Sequence, residues 1–351
     1  MMKKHINNTS LVQQHNSLIS IILPTFNRIS FLKEAIECIE SQTYQNWELI
    51  CVDDGSDDGS YDYLLEITSC IENHVEILKQ SNSGPGEARN AGIKLAKGAY
   101  FAFFDSDDKW KPFHLEKLLT SLKQNIEIDW VYSACERIDR RTNNIILNST
   151  FYSKNGSPNP LFHVSNFENG LYVIDTNLGL ELQLCDGIDS GLQNSLVKKE
   201  VFQKFLIPPF RIGEDRLLIS RVLATGFRMA FIDEVTVEYY IHEYNSSVTN
   251  INADWRKKAA GMEQLILSYE VYEKEILMTS KQALIYRKKL TQTIFWEYGY
   301  AVLKMAGQRK LARGAFWRGI KYSPMNLKLW KTLIFNEVEF YIEVISRKVR
   351  S

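Results

Sequence analysis

The sequence predicts an α/β fold, a mixed and mainly parallel sheet flanked by helices, followed by a helical C-terminal extension. Three observations predict it. Between residues 18 and 110, short apolar runs alternate with segments whose apolar residues recur at helical spacing. These runs end in polar clusters at Pro24, Asp53-Asp54 and Asp105, and open α/β sheets bind ligands outside the carboxyl ends of their strands. From about residue 254 the pattern is helical to the end.

The elements follow in order. Residues 1–17 are polar, rich in Asn and Gln, and are expected to be disordered. "LISIILPT" reads as a buried strand ending at Pro24. "SFLKEAIECIESQ" reads as a helix with Ser30 as N-cap and Leu32, Ala35, Ile36 and Ile39 on one face. "WELICVDDGS" is a strand running into acids and a glycine turn, "SYDYLLEITSCI" a helix, and "VEILKQ" a short strand. "GEARNAGIKLAKG" is a helix closed by Gly98 at a C-cap position, and "AYFAFFDSDD" is a fourth strand. Alternation of this kind implies right-handed crossovers, which place the three polar clusters along one crevice. From about 140 to 195 no pattern is legible, and this stretch is expected to shape an acceptor site. Helical spacing returns at "GEDRLLISRVLATG", and "FRMAFIDEVTVEYYIH" supplies further strands. The expected organisation is a domain over 18–253 and a helical region over 254–351. Within the latter, Trp296, Ala312, Phe316, Gly319 and Pro324 fall at spacings resembling one tetratricopeptide helix pair.

The 351 residues are formally neutral, with 42 basic and 42 acidic side chains. The charge is unevenly spread. Residues 301–351 carry eleven Lys or Arg and three Asp or Glu, which is +8, so the remainder carries −8. The basic tail predicts contact with an anionic surface, such as the inner face of a membrane; nothing points to nucleic acid. The five cysteines show no metal-ligand spacing and read as free thiols in a reducing compartment. No stretch approaches 18 uninterrupted apolar residues, and the expected location is cytoplasmic.

The motifs narrow the chemistry. "GPGEARNAG" has Arg89 where a dinucleotide-binding loop requires glycine. "DDGSDDGSYDYLLE" matches a calcium loop at Asp54, Asp58 and Gly59, but Leu65 stands at the required glutamate position. "FFDSDDKW" places Asp105, Asp107 and Asp108 directly after a buried strand. Two carboxylates about 4 Å apart repel by about 4 kcal/mol at an effective dielectric near 20. Such a cluster calls for a positive partner.

"ISIILPTFNR", "SQTYQNWELICVDDGSDDGS", "NSGPGEARNAGIKLAKGAYFAFFDSDD", "GEDRLL" and "YYIHEYNSSVT" resemble, in this order, family 2 glycosyltransferases of the GT-A fold, over residues 18–250. The resemblance implies a nucleotide-diphospho-sugar transferase. Pro24, Thr25 and Asn27 would line the nucleotide pocket, Asp54 would meet the base edge with Asp53 beside it, and Arg89 would pair with the nucleotide. Asp105-Ser106-Asp107 would be the DxD motif, with Asp105 toward the ribose and Asp107 holding Mn²⁺ or Mg²⁺ on the diphosphate, joined by His242. Relatives usually carry Arg after the aromatic of the His242 segment, whereas this chain reads Tyr239-Tyr240-Ile241-His242. Asp215 would be the general base, with Glu214 the alternative. The partners the resemblance implies are a nucleotide-sugar donor, UDP-linked, and a glycan or lipid-linked acceptor of the bacterial envelope. A nucleotidyltransferase and a non-catalytic sugar-nucleotide binder are the rival expectations.

Overall fold

The computed structural model describes residues 17–188, 190–242 and 254–350, with side chains described as far as residue 338. The expected disordered tail lies almost wholly outside the described residues. The chain divides into two compact units, Met1–Tyr244 and Asn245–Ser351.

The first unit begins with β1 (Ile19–Thr25), α1 (Ile29–Glu40), β2 (Trp47–Asp53), α2 (Ser60–Ile67), β3 (Val75–Lys79), α3 (Pro85–Leu95) and β4 (Tyr100–Phe103). It continues with β5 (Lys109–Trp110), α4 (His114–Gln124), β6 (Trp130–Asp139), β7 (Ile145–Leu147), β8 (Ser165–Glu168), β9 (Leu171–Ile174) and α5 (Thr176–Cys185). It closes with β10 (Ser195–Lys198), α6 (Lys199–Lys204), α7 (Glu214–Ala224) and β11 (Met229–Ile241). The described strands form one sheet in the order β3-β2-β1-β4-β10-β6-β11-β9-β8, with β5 paired to β11 and β7 to β6. β1 to β4 are parallel, as the alternation of elements predicts. β10 then enters antiparallel to both β4 and β6, so the sheet is mixed.

Parallel register sets Thr25 beside Asp53, and the Phe104 amide continues the ladder onto the Ile22 carbonyl at 2.9 Å. The ends of β1, β2 and β4 therefore share one edge. Leu32, Ala35, Ile36 and Ile39 are buried on α1 as their spacing predicts. α3 lies so close to β1 that a Cβ on Gly92 would sit 2.6 Å from Ile22 Cγ2. Gly86 and Gly92 of "GPGEARNAG" thus serve close packing, while Gly84 takes a positive φ of +94°.

Several local expectations are corrected. Ser30 does not cap α1, which starts one residue earlier and has no cap from its own preceding side chain. Its first amides are satisfied from a distant loop: the Ile29 N–H donates to Asp58 Oδ2 (3.1 Å) and the Arg28 N–H to Ser60 Oγ (3.1 Å). α3 ends at Leu95 with Ala96 as C-cap. Gly98 lies beyond it and lets the chain pass β1, because a Cβ there would be 2.7 Å from the Leu18 carbonyl. Trp110 is in a strand, and the next helix begins at His114. The stretch from 140 to 195 is ordered as β7, β8, β9 and α5, with β6 entering it from the core of the sheet. Its strands are short or two-sided in burial, so they lack the alternation by which sequence patterns are read.

The second unit contains α8 (Trp255–Glu270), α9 (Tyr272–Glu275), α10 (Ser280–Thr291), a π-helical continuation over Gln292–Lys304, α11 (Arg309–Ile320) and α12 (Leu327–Arg350). Thr279 and Gln282 form a capping box on α10. The π-helical segment and α11 approach closely: a Cβ on Gly319 would be 2.9 Å from Phe295 Cβ, and Phe295 packs on Phe316 in a tilted pair with ring centroids 4.5 Å apart. Arg318 joins α11 to α8 through Glu263 and Glu270.

Candidate active site

The loop after β2 is built on Asp54. Its Oδ1 accepts from Gln80 Nε2 (2.7 Å) and the Ser83 amide (2.8 Å), and its Oδ2 from the Gly84 amide (2.8 Å). These bonds hold the Gly-rich stretch that opens α3. Gly55, at φ +82°, makes the crossing possible, since a Cβ there would lie 2.9 Å from the Asn82 amide nitrogen. Asp53 Oδ1 accepts from the Ser56 amide (3.1 Å), while Asp53 Oδ2 and the neighbouring Thr25 Oγ1 are buried without a hydrogen-bond partner. Buried polar atoms are nearly always paired, so these two stand out at the shared edge of β1 and β2. Asn27, at φ +52°, takes the Asp57 amide on its Oδ1 (3.0 Å). Pro24 is half-buried at the end of β1. Asp53 and Asp54 thus each accept from backbone amides of the loops around them.

The three acids of "FFDSDDKW" have three different fates. Asp105 Oδ1 accepts from Arg89 Nη2 at 2.6 Å. Asp107 Oδ2 lies 3.1 Å from His242 Nε2 and 3.2 Å from Arg28 Nη2. Burial would raise its pKa, but the bond to His242 and the charge of Arg28 bring it below the usual carboxylate range. Asp108 is buried beside the charges of Asp107 and Asp105, and its pKa is pushed well up. Its Oδ1 accepts from the Tyr240 amide (3.1 Å), so it fastens the end of β11 next to Asp107. It caps no helix. Asp108 is pushed toward its neutral form and the other two have cationic partners, so the repulsion implied by the sequence is eased within the chain.

Arg89 ties this cluster to the second acidic pair. Its guanidinium is buried between Asp105 and Glu214, with Nη1 3.4 Å from Glu214 Oε1. Glu214 and Asp215 open α7. Burial first, and then the charge of Asp215, raises Glu214 to about 7, with Arg89 opposing. Burial also raises Asp215, whose Oδ1 accepts from the Arg216 amide (2.6 Å). Two carboxyls at a helix start, both raised by burial, are chemically suited to take a proton. A neighbouring pair of buried side-chain bonds fixes α3 against this site: Asn90 Nδ2 donates to the Ile207 carbonyl and the Ile207 amide donates back to Asn90 Oδ1, both at 2.9 Å.

A divalent ion would find Asp107 Oδ2 and His242 Nε2 side by side. Among the described residues no cluster of three or more His, Cys, Asp or Glu side chains could hold a metal ion. An ion held by these two side chains would have to take the rest of its shell from ligand and water oxygens. The segment following His242 lies outside the described residues.

Arg28, Phe31 and Arg140 also surround Asp107 and were not singled out in the sequence. Arg28 adjoins "PTFN", which was a usable signal. Arg140 follows β6, far along the chain and in a stretch with no pattern, and only the fold brings it near.

Residues 20–183 match the family described as Glycosyl transferase family 2. The glycosyltransferase GlyG of Streptococcus pneumoniae is 26% identical over 251 residues, covering 69% of this chain and 77% of that protein. The putative teichuronic acid biosynthesis glycosyltransferase TuaG of Bacillus subtilis is 39% identical over 102 residues, 29% of this chain and 40% of that protein. The chain spans less than half the length of the first curated relatives it matches. Among solved structures, S. aureus TarS 1–349 in complex with UDP-GlcNAc superposes with a TM-score of 0.61 at 17% identity, covering 87% of this chain and 81% of that one. The mannosyltransferase PcManGT of Pyrobaculum calidifontis, in complex with GDP-Man and Mn²⁺, gives 0.53 at 14%, covering 92% and 86%.

Proposed function

Because residues 20–183 of this chain are a family 2 glycosyltransferase domain of the GT-A fold, we propose that the protein transfers a sugar from a nucleoside diphosphate to a hydroxyl with inversion at the anomeric carbon. The observation that carries this reading is the Asp105-Arg89-Glu214 chain, which joins the acids after β4 to a carboxyl pair raised toward neutrality.

In the proposed reaction the acceptor oxygen attacks the anomeric carbon while the bond to the diphosphate oxygen breaks. The acceptor's proton passes to the Glu214–Asp215 pair, and Asp215 is favoured as the acceptor of that proton because Glu214 is engaged by Arg89. Thr25, Asp53 and Asp54 would receive the nucleoside, and Asp105 the ribose. Mn²⁺ or Mg²⁺ held by Asp107 and His242 would supply Lewis-acid stabilisation of the leaving diphosphate. A single displacement needs one base and no covalent nucleophile.

UDP is the proposed nucleotide, supported by the UDP-GlcNAc in the TarS structure. A growing glycan or lipid-linked acceptor of the bacterial envelope is supported by the teichuronic acid relative. Catalysis is assigned to residues 18–253, and contact with an inner membrane surface on the cytoplasmic side to the basic helices after residue 254. Among the described residues no helix is long and apolar enough to cross a membrane.

The test is thermal stabilisation by UDP, GDP, dTDP and CMP, with and without Mn²⁺, on wild type and Asp107→Asn. A ligand at about 100 times its Kd adds about 2.7 kcal/mol to the folded state. A metal-enhanced shift for one nucleotide, weakened in Asp107→Asn, is the expected result. No shift with any nucleotide would leave the fold standing and favour a non-catalytic role.

A further inference from the structure

The second unit carries a cavity of about 240 Å³ between the end of the π-helical segment, α11 and the middle of α12. Ala312 and Phe316, both buried, give it an apolar lining. Four cationic side chains surround that lining: Lys304 at the end of the π-helical segment, and Arg309, Lys310 and Arg313 on α11. Among the described residues that line it, Glu337 of α12 is the one carboxylate, with its Oε1 2.7 Å from Arg313 Nε. Arg309 and Lys310 open α11, whose first turn holds no acid and whose preceding residue, Gln308, makes no side-chain cap.

We propose that this cavity binds an organic phosphate, its oxygens among the four cations and its apolar part against Ala312 and Phe316. The inference goes beyond the crevice of the first unit and does not depend on how that crevice is read. Three physical arguments support it. A helix start favours anions and disfavours cations, so Arg309 and Lys310 stand where the α11 dipole opposes them, and a bound anion offsets that opposition. Four cations against one carboxylate leave an excess of three positive charges around one concave site, which draws in an anion. Arginine adds a planar fork of donors that matches phosphate oxygens. The size then limits the occupant. At about 240 Å³ the cavity is smaller than the roughly 300–1,000 Å³ of pockets that enclose a drug-sized ligand, so it suits a phosphate head with a short apolar stretch. The competing account is that Arg313 and Glu337 only latch α11 to α12.

The full chain is titrated by calorimetry with hexyl phosphate, inorganic phosphate and hexanol. Hexyl phosphate should bind at least about tenfold more tightly than either of the others, since it alone engages both the cations and the apolar lining. Lys310 is exposed, so Lys310→Gln should keep the fold, as thermal melting would verify. It should weaken hexyl phosphate about two- to fivefold, the worth of an exposed ion pair. Glu337→Gln removes the opposing charge and releases Arg313 from its ion pair, so affinity should rise. A latch alone predicts the reverse pattern, lower stability with affinity unchanged. Vesicles containing phosphatidic acid that displace hexyl phosphate would place the ester on a membrane lipid, and vesicles that leave it bound would place it on a soluble molecule. No binding of hexyl phosphate, equal binding of inorganic phosphate or hexanol, or affinity indifferent to both variants would overturn the site.

Discussion

Glu214 shares the buried guanidinium of Arg89 with Asp105 and also feels the charge of Asp215. Two raised carboxyls in contact titrate as a pair, and the protonated pair cannot accept the acceptor's proton. Activity should therefore rise with pH along an acid limb set by the raised pair, in which burial pushes Glu214 to about 7 and Asp215 upward as well. Glu214→Gln removes a negative neighbour of Asp215, so the acid limb of kcat/KM should move to lower pH; a limb that stays in place would exclude Glu214 as the cause. At this scale the sequence was informative about identity and poor about partners. Asp105, Asp107, Glu214, Asp215 and His242 all come to one crevice edge, as their motifs implied. Arg89 was expected to pair with a nucleotide; the structure gives it two carboxylates, 125 and 16 residues away along the chain. Such pairings depend on the tertiary path and leave no local spacing to read.

At the scale of elements, one loop starts two helices. Asp58 accepts the Ile29 amide of α1 on Oδ2 and the Ser60 amide of α2 on Oδ1 (2.9 Å). Its pKa lies below the usual carboxylate range: slight burial raises it, but the bonds from Ser60 and Ile29 outweigh that. Removing a single N-cap costs about 0.5–2 kcal/mol, and Asp58→Ala removes support from two helix starts. The expected outcome is a loss of about 1–3 kcal/mol in urea unfolding with the slope unchanged. A loss within about 0.5 kcal/mol, the level of an ordinary surface change, would show that the bonds carry no net stability. The helices and parallel strands of residues 19–103 were legible because each keeps one periodicity over a full element. α1's cap was not, because its donor-satisfying groups sit about 30 residues on. β7, β8 and β9 were missed since strands of three or four residues give a periodic pattern too little length.

At the scale of the whole molecule the formal neutrality hides an opposition of about eight charges between residues 1–300 and 301–351. α12 begins with exposed Leu327, Ile334, Phe335 and Val338, and Lys328 and Lys331 lie among them. Apolar surface beside lysines favours anionic bilayers over neutral ones. The full chain should float with vesicles containing anionic lipid, less so in high salt, and Lys328→Glu with Lys331→Glu should reduce flotation; equal recovery on purely zwitterionic vesicles would contradict the electrostatic attraction. The sheet was expected to be mixed and mainly parallel, but which strand reverses was not legible, because a four-residue strand such as β10 does not announce its direction in sequence. Arg89, finally, has a consequence that reaches the solvent. It divides one positive charge between two sides of the crevice, so ligation on one side changes proton affinity on the other. A ribose hydroxyl that draws Asp105 away leaves more of that charge on Glu214, whose bound proton then becomes easier to lose. Donor binding should release protons near pH 7, seen as a calorimetric heat that varies with the ionisation enthalpy of the buffer.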